Sequence, residues 1–377
     1  MEALSEYDEA FRTLRRVPWK IAKDFDSALT FDSGLLALAR RRRSYSAAER
    51  DESMNRREFF RVGVAAATIA GWSTAVRGAI GRSDCICKEM TAAQFHAARK
   101  FCVTEHGRIA YLDIGDGPVA LLLHGFPLNS FQWRGTIPLL SLMRRCIAPD
   151  FLALGYTEVA EGQAVDARTQ VAMLAQLLDK QSISKVDIIA SDSGGAVAQL
   201  FVARYPDRVN SLLLTNCDTE PNSPPPAVLP VIALGRQGRF ADEWIGKWVA
   251  DKNLARSDSG LGGQCYMVPT NLSDETIETY LAPLVNSPQR RSFTNAYAAA
   301  LAPNSLAGIE ASLKHCYVAT RVVWGTGDTI FSPSDGEYLA RTVANSLGLR
   351  KVPGAKLFFP EELPEVIVEE ARFLWSL

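Results

Sequence analysis

The chain has 377 residues, enough for one large domain with additions, and its 47% hydrophobic and 22% charged content is that of a folded globular protein. A formal net charge of −1 argues against a general attraction to nucleic acid or anionic lipid, and no apolar stretch approaches the roughly 20 residues that span a bilayer. The seven cysteines are scattered without metal-ligand spacing, so neither a metal nor an organic cofactor is implied. Cys85 and Cys87 form a lone C-x-C, weak evidence for metal or redox chemistry, while Cys102, Cys146 and Cys217 lie in apolar runs as small core residues do.

Residues 1–53 form a polar leader with Arg40, Arg41, Arg42 and Arg43 in a row and helical spacing of Tyr7, Phe11 and Leu14. Met54-Asn55-Arg56-Arg57-Glu58-Phe59-Phe60-Arg61 follows, then an apolar small-residue run from Val62 to Trp72, then Ser73-Thr74-Ala75. Paired arginines, a short apolar region and a small-x-small site resemble a twin-arginine export signal over residues 54–80, which implies an exported protein if translation starts near Met54 and a cytoplasmic one otherwise. The expectation is a start at Met54, with the leader not made; a mature chain that retains Met1 would sink it.

From about residue 100 short β-rich runs alternate with helical stretches. Phe101–Glu105 and Arg108–Asp113 predict a hairpin turning at His106-Gly107. Val119–Leu123 predicts a strand buried on both faces, Phe131–Leu142 a helix, Arg145–Ala148 a strand, and Ala164–Leu178 a helix. Val186–Ala190 predicts a buried strand, Gly194–Tyr205 a helix stopped by Pro206, and Val209–Leu214 a strand. Residues 221–312 carry helical periodicity, proline and aromatics such as Trp244 and Trp248, and read as a helical cap. Arg321–Trp324 and Leu349–Val352 resume the sheet and Pro364–Leu377 closes with a helix. The fold class is α/β, a mostly parallel, doubly wound sheet whose core comprises residues 100–220 and 313–377.

Three motifs fall at strand ends. His124-Gly125-Phe126-Pro127 follows the third strand, Ala190-Ser191-Asp192-Ser193-Gly194-Gly195 joins a strand to a helix, and Trp324-Gly325-Thr326-Gly327-Asp328 ends a late strand. A sharp strand-to-helix turn needs small residues two positions either side of its apex. Asp192 has Ala190 and Gly194 there; Ser193, with Ser191 and Gly195, also qualifies by size. The strand register favours Asp192 at the tip, where it also suits the N-cap of the next helix, and the helix dipole favours a carboxylate.

The order of elements and these motifs resemble the α/β-hydrolase fold from about residue 100 to the end. An aspartate at the nucleophile elbow resembles the epoxide hydrolase and haloalkane dehalogenase branch, in which the carboxylate attacks an sp³ carbon and a histidine activates water to cleave the resulting ester. The resemblance implies Asp192 as nucleophile, Asp328 as the acid member, and the backbone N–H groups of Phe126 and Ser193 as the oxyanion hole, supported by His124 and Gly125. It also makes Tyr266, Tyr280 and Tyr297 candidate cap contacts to substrate. Ser193 departs from the tryptophan or arginine that relatives carry after the nucleophile.

The histidine position falls on Leu357, in Val352-Pro353-Gly354-Ala355-Lys356-Leu357-Phe358, and none of the chain's four histidines follows His315. His96 lies upstream of the sheet, His106 in the hairpin turn and His315 at the wrong sheet edge; His124 is expected to brace the loop after the third strand. Glu361 or Glu362 is a possible base if partly buried, or a cap for the last helix. Asp328, freed from an imidazole, can hold water, pair with Lys356 or act as base. A positioned acid–base group is worth about 10²- to 10⁴-fold, so an ester here is expected to be cleaved slowly. Three functions are therefore open: a hydrolase-like enzyme on a small, largely apolar substrate through an aspartyl ester; a degenerate homologue that only binds ligand; and a lyase or isomerase using Asp192 as base. A small-molecule substrate is the expected partner, without nucleic acid or a stable membrane span.

Overall fold

The computed structural model describes residues 89–377. The leader, the twin-arginine-like segment and the Cys85-x-Cys87 pair lie outside the described residues. Within them the five cysteines are free, and no helix is long and apolar enough to cross a membrane.

A short helix, α1 (Ala92–Ala98), is capped by Thr91 in a reciprocal box with Gln94. The hairpin follows as β1 (Lys100–Thr104) and β2 (Gly107–Ile114), antiparallel. The remaining strands are β3 (Val119–Leu123), β4 (Arg145–Pro149), β5 (Val186–Asp192), β6 (Val209–Cys217), β7 (Ala319–Gly325) and β8 (Ser346–Val352). They form one eight-stranded sheet in the order β1-β2-β4-β3-β5-β6-β7-β8, parallel from β4 onward. The expected doubly wound, mostly parallel sheet is thus present. β3 and β5 are buried along their whole length, which is why they read as unbroken apolar runs.

The stretch expected as a helix over Phe131–Leu142 is instead a 3₁₀ turn, Ser130–Trp133, and a short α2 (Thr136–Leu140). Gly135 breaks it. The 3₁₀ turn is held by tertiary contacts, with Asn129 capping the Phe131 N–H and Gln132 accepting from the Gly125 N–H. Helix α3 (Ala167–Lys180) is capped by Asp166, and α4 (Ser193–Arg204) starts directly from β5.

Between β6 and β7 the elements are all helical. They include α5 (Leu229–Arg236), a π-helical turn over Ala241–Gly246 that runs on into Lys247–Ala250, α6 (Asp274–Val285) and α7 (Pro288–Ala300). The fourfold spacing of Phe240, Trp244 and Trp248 puts all three rings on one side of that turn. The chain ends with α8 (Pro333–Thr342), opened by a Ser332–Asp335 box, and α9 (Pro364–Leu374).

Candidate active site

Asp192 occupies the apex where β5 becomes α4. Its backbone has φ 54° and ψ −133°, a region that a residue with a side chain rarely enters and that costs about 1–3 kcal/mol. The turn closes because its neighbours lack bulk. A Cβ on Gly194 would strike the His124 carbonyl, and one on Gly195 would strike Cys217. Gly125 is as constrained, since a Cβ there would collide with the Asp192 carboxylate.

That close approach lets the Phe126 N–H donate to Asp192 Oδ2 at 2.7 Å. The Ser193 N–H, at the start of α4, also favours the ionised form of that carboxylate. Of the two N–H groups expected to stabilise an anion there, that of Phe126 is thus bonded to Oδ2. His124 is buried and occupied at both nitrogens: Nε2 accepts from the Phe151 N–H at 3.0 Å, and Nδ1 lies 2.9 Å from the Gly125 carbonyl, to which it donates. Burial pushes its pKa down. It braces the loop as a neutral ring.

Asp192 lies on the wall of a cavity of about 380 Å³. The wall is mainly apolar, and its aromatic side runs from Phe126 to Phe240, Trp244 and Trp248, each ring 5.5–5.6 Å from the next. The polar side chains on it include Asp192, Ser193, Asp218 and Gln264. Leu357 and Cys265 line the same cavity. Among the described residues, which include all four histidines, no imidazole reaches that wall.

Burial pushes the Asp192 pKa well above the usual carboxylate range, reinforced by the negative charges of Asp218 and Asp328 and opposed by the Phe126 and Ser193 N–H groups. The helix N-terminus was expected to favour the anion; burial beside two other acids outweighs it.

Asp328 is not a wall residue. Its Oδ2 accepts from Asn216 Nδ2 at 2.7 Å and its Oδ1 from the Ile330 N–H at 2.8 Å, and burial raises its pKa to about 6. Lys356 donates to the Gly263 carbonyl at 2.5 Å rather than pairing with it.

Two expectations are corrected. Tyr266 and Tyr280 do not face the cavity as substrate contacts: their hydroxyls donate to Glu361 Oε2 at 3.0 and 2.8 Å. Glu361 is itself paired with Arg134 at 2.6 Å, so it is not a free base. Nor does Glu362 cap the last helix; it accepts from the Met267 N–H at 2.8 Å and the Val268 N–H at 3.1 Å, fastening the helical region to the core. Tyr297 alone of the three stays at the elbow, stacked on Phe126 with ring centroids 5.0 Å apart and its hydroxyl 3.5 Å from Ser193 Oγ.

Sequence reasoning missed Asp218. It follows Cys217, whose Cα pairs with that of Asp192 across β5 and β6, so it stands beside the elbow. The signal was present: an acid at the carboxyl end of a parallel strand, where sites in such sheets lie.

A family model described as alpha/beta hydrolase fold matches residues 118–363. The 2-hydroxy-6-oxo-2,4-heptadienoate hydrolase of Pseudomonas putida is 36% identical over 105 residues, 27% of this chain and 38% of that protein. Haloalkane dehalogenase 2 of Mycobacterium bovis is 32% identical over 113 residues, 30% of this chain and 40% of that protein. The chain thus spans less than half the length of these curated relatives. A crystal structure of an alpha/beta hydrolase fold protein from Burkholderia ambifaria superposes with a TM-score of 0.64 at 26% identity, covering 75% of this chain and 98% of that one.

Proposed function

Because this chain belongs to the α/β-hydrolase fold family, we propose that it is a hydrolase-like enzyme acting on a small, largely apolar substrate through an ester on Asp192. The observation that carries the reading is a carboxylate at the strained apex of the elbow, one oxygen fixed by the Phe126 N–H at 2.7 Å, on the wall of an apolar cavity. The likeness to a haloalkane dehalogenase supports a substrate whose sp³ carbon bears a leaving group, and an epoxide presents the same kind of carbon.

In the first step Asp192 Oδ1 attacks that carbon, the bond to oxygen or halide breaks, and the leaving atom takes the electron pair. The ester is neutral, so its formation relieves the crowding of buried negative charge that raises the Asp192 pKa. In the second step water adds to Asp192 Cγ. Charge then builds on Oδ2, to which the Phe126 N–H already donates. The alcohol departs with the original Oδ1, and one carboxylate oxygen comes from water.

Leu357 favours a second reading, a ligand-binding homologue, because it puts a hydrocarbon where relatives hold the imidazole that drives the second step. Intact mass after incubation with aryl epoxides and alkyl halides separates the two. The enzyme reading expects an adduct that maps to Asp192 and is absent from Asp192→Ala. Turnover with no adduct, abolished by the same substitution, favours either a surrogate base that cleaves the ester as fast as it forms or Asp192 as a base in a non-hydrolytic reaction. Single turnover in ¹⁸O-labelled water separates them, because only ester cleavage puts the label into Asp192. Neither adduct nor turnover across the panel leaves binding.

A further inference from the structure

A second, smaller cavity of about 30 Å³ adjoins the first beside the elbow. Ser193, Asp218 and Leu301 line both, and the small one is closed by Ser223, Tyr297 and the apolar side chains of α4 and α7. Its volume suffices for a water molecule, and a water there meets several polar partners. Tyr297 is only 4% exposed, and the partner of its hydroxyl is Ser193 Oγ at 3.5 Å, well beyond the roughly 2.7–2.8 Å of an ordinary O–H···O bond. A buried phenol so poorly partnered loses stability unless something else fills the gap. The backbone of Asp218 is fixed by Gln199 Nε2, which donates to its carbonyl at 2.8 Å.

We infer that this polar side cavity holds the hydrolytic water and that Asp218, between the two cavities, is the base that activates it in place of the missing imidazole. The inference rests on the aspartyl-ester reading above. As the water oxygen bonds to Asp192 Cγ, Asp218 takes its proton and the carbonyl pair moves onto Oδ2. When the Cγ–Oδ1 bond breaks, the departing alkoxide takes the proton from Asp218. Asp218 is then restored, and one water has been consumed per alcohol released. Asp192 is left as the carboxylic acid and becomes a carboxylate again when its proton passes to the alkoxide left by epoxide opening or, for a halide, to solvent. Burial holds Asp218 with a pKa of about 6, which suits a group that must accept and return a proton near neutrality. Tyr297 and Ser193 orient the water.

The test separates the two steps with styrene oxide as probe, following adduct appearance and decay by rapid-quench intact mass. Asp218→Asn and Asp218→Ala should form the adduct within a few-fold of the unaltered rate but hydrolyse it at least about 10²-fold more slowly. Added formate should speed adduct decay in Asp218→Ala, which a purely structural role would not allow. Tyr297→Phe, which keeps the ring stack, should slow decay several-fold. An adduct that decays equally fast with and without Asp218 overturns the inference and leaves the ester reading standing, as does an unaltered protein whose adduct never decays. No adduct on any of these proteins overturns both.

Discussion

Two carboxylate sites of the molecule have opposite characters. Glu361 is matched by Arg134 and accepts from two tyrosine hydroxyls, and Arg134 donates to Tyr280 at 3.0 Å and pairs with Glu89. Burial works against the charge on Arg134, yet Glu361, with Tyr280 and Glu89, holds its pKa above the ordinary guanidinium value. The charges of that cluster are matched by one another, and its work is to join the helical region to the core. Among the described residues no cation pairs with Asp192, Asp218 or Asp328; Asp192 accepts from the Phe126 N–H and Asp328 from the Ile330 N–H and the Asn216 amide, and burial raises all three pKa values. A buried acid with a cation is fastened. A buried acid facing only neutral donors is left with reactivity, at the expense of stability when ionised.

The contrast is broken most severely by Asp192→Ala, expected to reduce adduct formation and turnover by about 10⁴-fold or more while leaving the fold intact, since the substitution also removes a buried charge. Single-turnover mass spectrometry checks it, and residual chemistry near the original rate removes Asp192 from the mechanism. On the other side, Arg134→Ala strands Glu361 and should cost about 3–5 kcal/mol, seen as a lowered urea midpoint. It should leave adduct formation at Asp192 little changed at temperatures where the protein is folded. A loss of reactivity equal to the loss of stability would show that the two sites are not separable.

Leu357→His tests the gap between them. It puts an imidazole on the cavity wall, at the position that the resemblance assigns to the histidine, and Asp328 is already raised to about 6 and, among the described residues, without a cation. Adduct hydrolysis should accelerate by roughly 10²-fold. An unchanged decay rate would mean that the side chain at 357 does not reach the ester, and the residue-by-residue match to the family loop would fail with it.

Much of this was legible in the chain. β3 and β5 are apolar throughout because both faces are covered, and the small residues around Asp192 follow from the tightness of its turn. β6 was read too short. It runs past Leu214 through Thr215 and Asn216, polar residues that look like a loop but are buried because Thr215 donates to the Ala190 carbonyl at 3.3 Å and Asn216 reaches Asp328. The truncation hid Asp218, which otherwise ends a strand visibly. Helix α8 carried its own signal in Ser332-Pro333-Ser334-Asp335 and needed no tertiary information. The tyrosines are a different case. Nothing local tells Tyr266 and Tyr280, bonded to Glu361, from Tyr297, which stays at the elbow; only partners distant in sequence decide it.

The smallest expected effect concerns stability. Asp218 has a folded pKa of about 6 against an ordinary 3.8, so the folded state holds its proton more tightly than the unfolded chain does. Its contribution is fully present below pH 3.8 and is lost as pH rises through about 6. A gap of about two units corresponds to about 3 kcal/mol at most. Asp218→Asn does not titrate, so its stability relative to the unaltered protein should climb between about pH 4 and 7 and then level off. A change in packing at the new amide shifts that difference by a constant and leaves its slope alone. Urea midpoints of the two proteins across that range measure it. A difference that stays flat, or falls as pH rises, would mean that Asp218 ionises as easily in the folded chain as in water, and the raised affinity for a proton that makes it distinct from Glu361 would be absent.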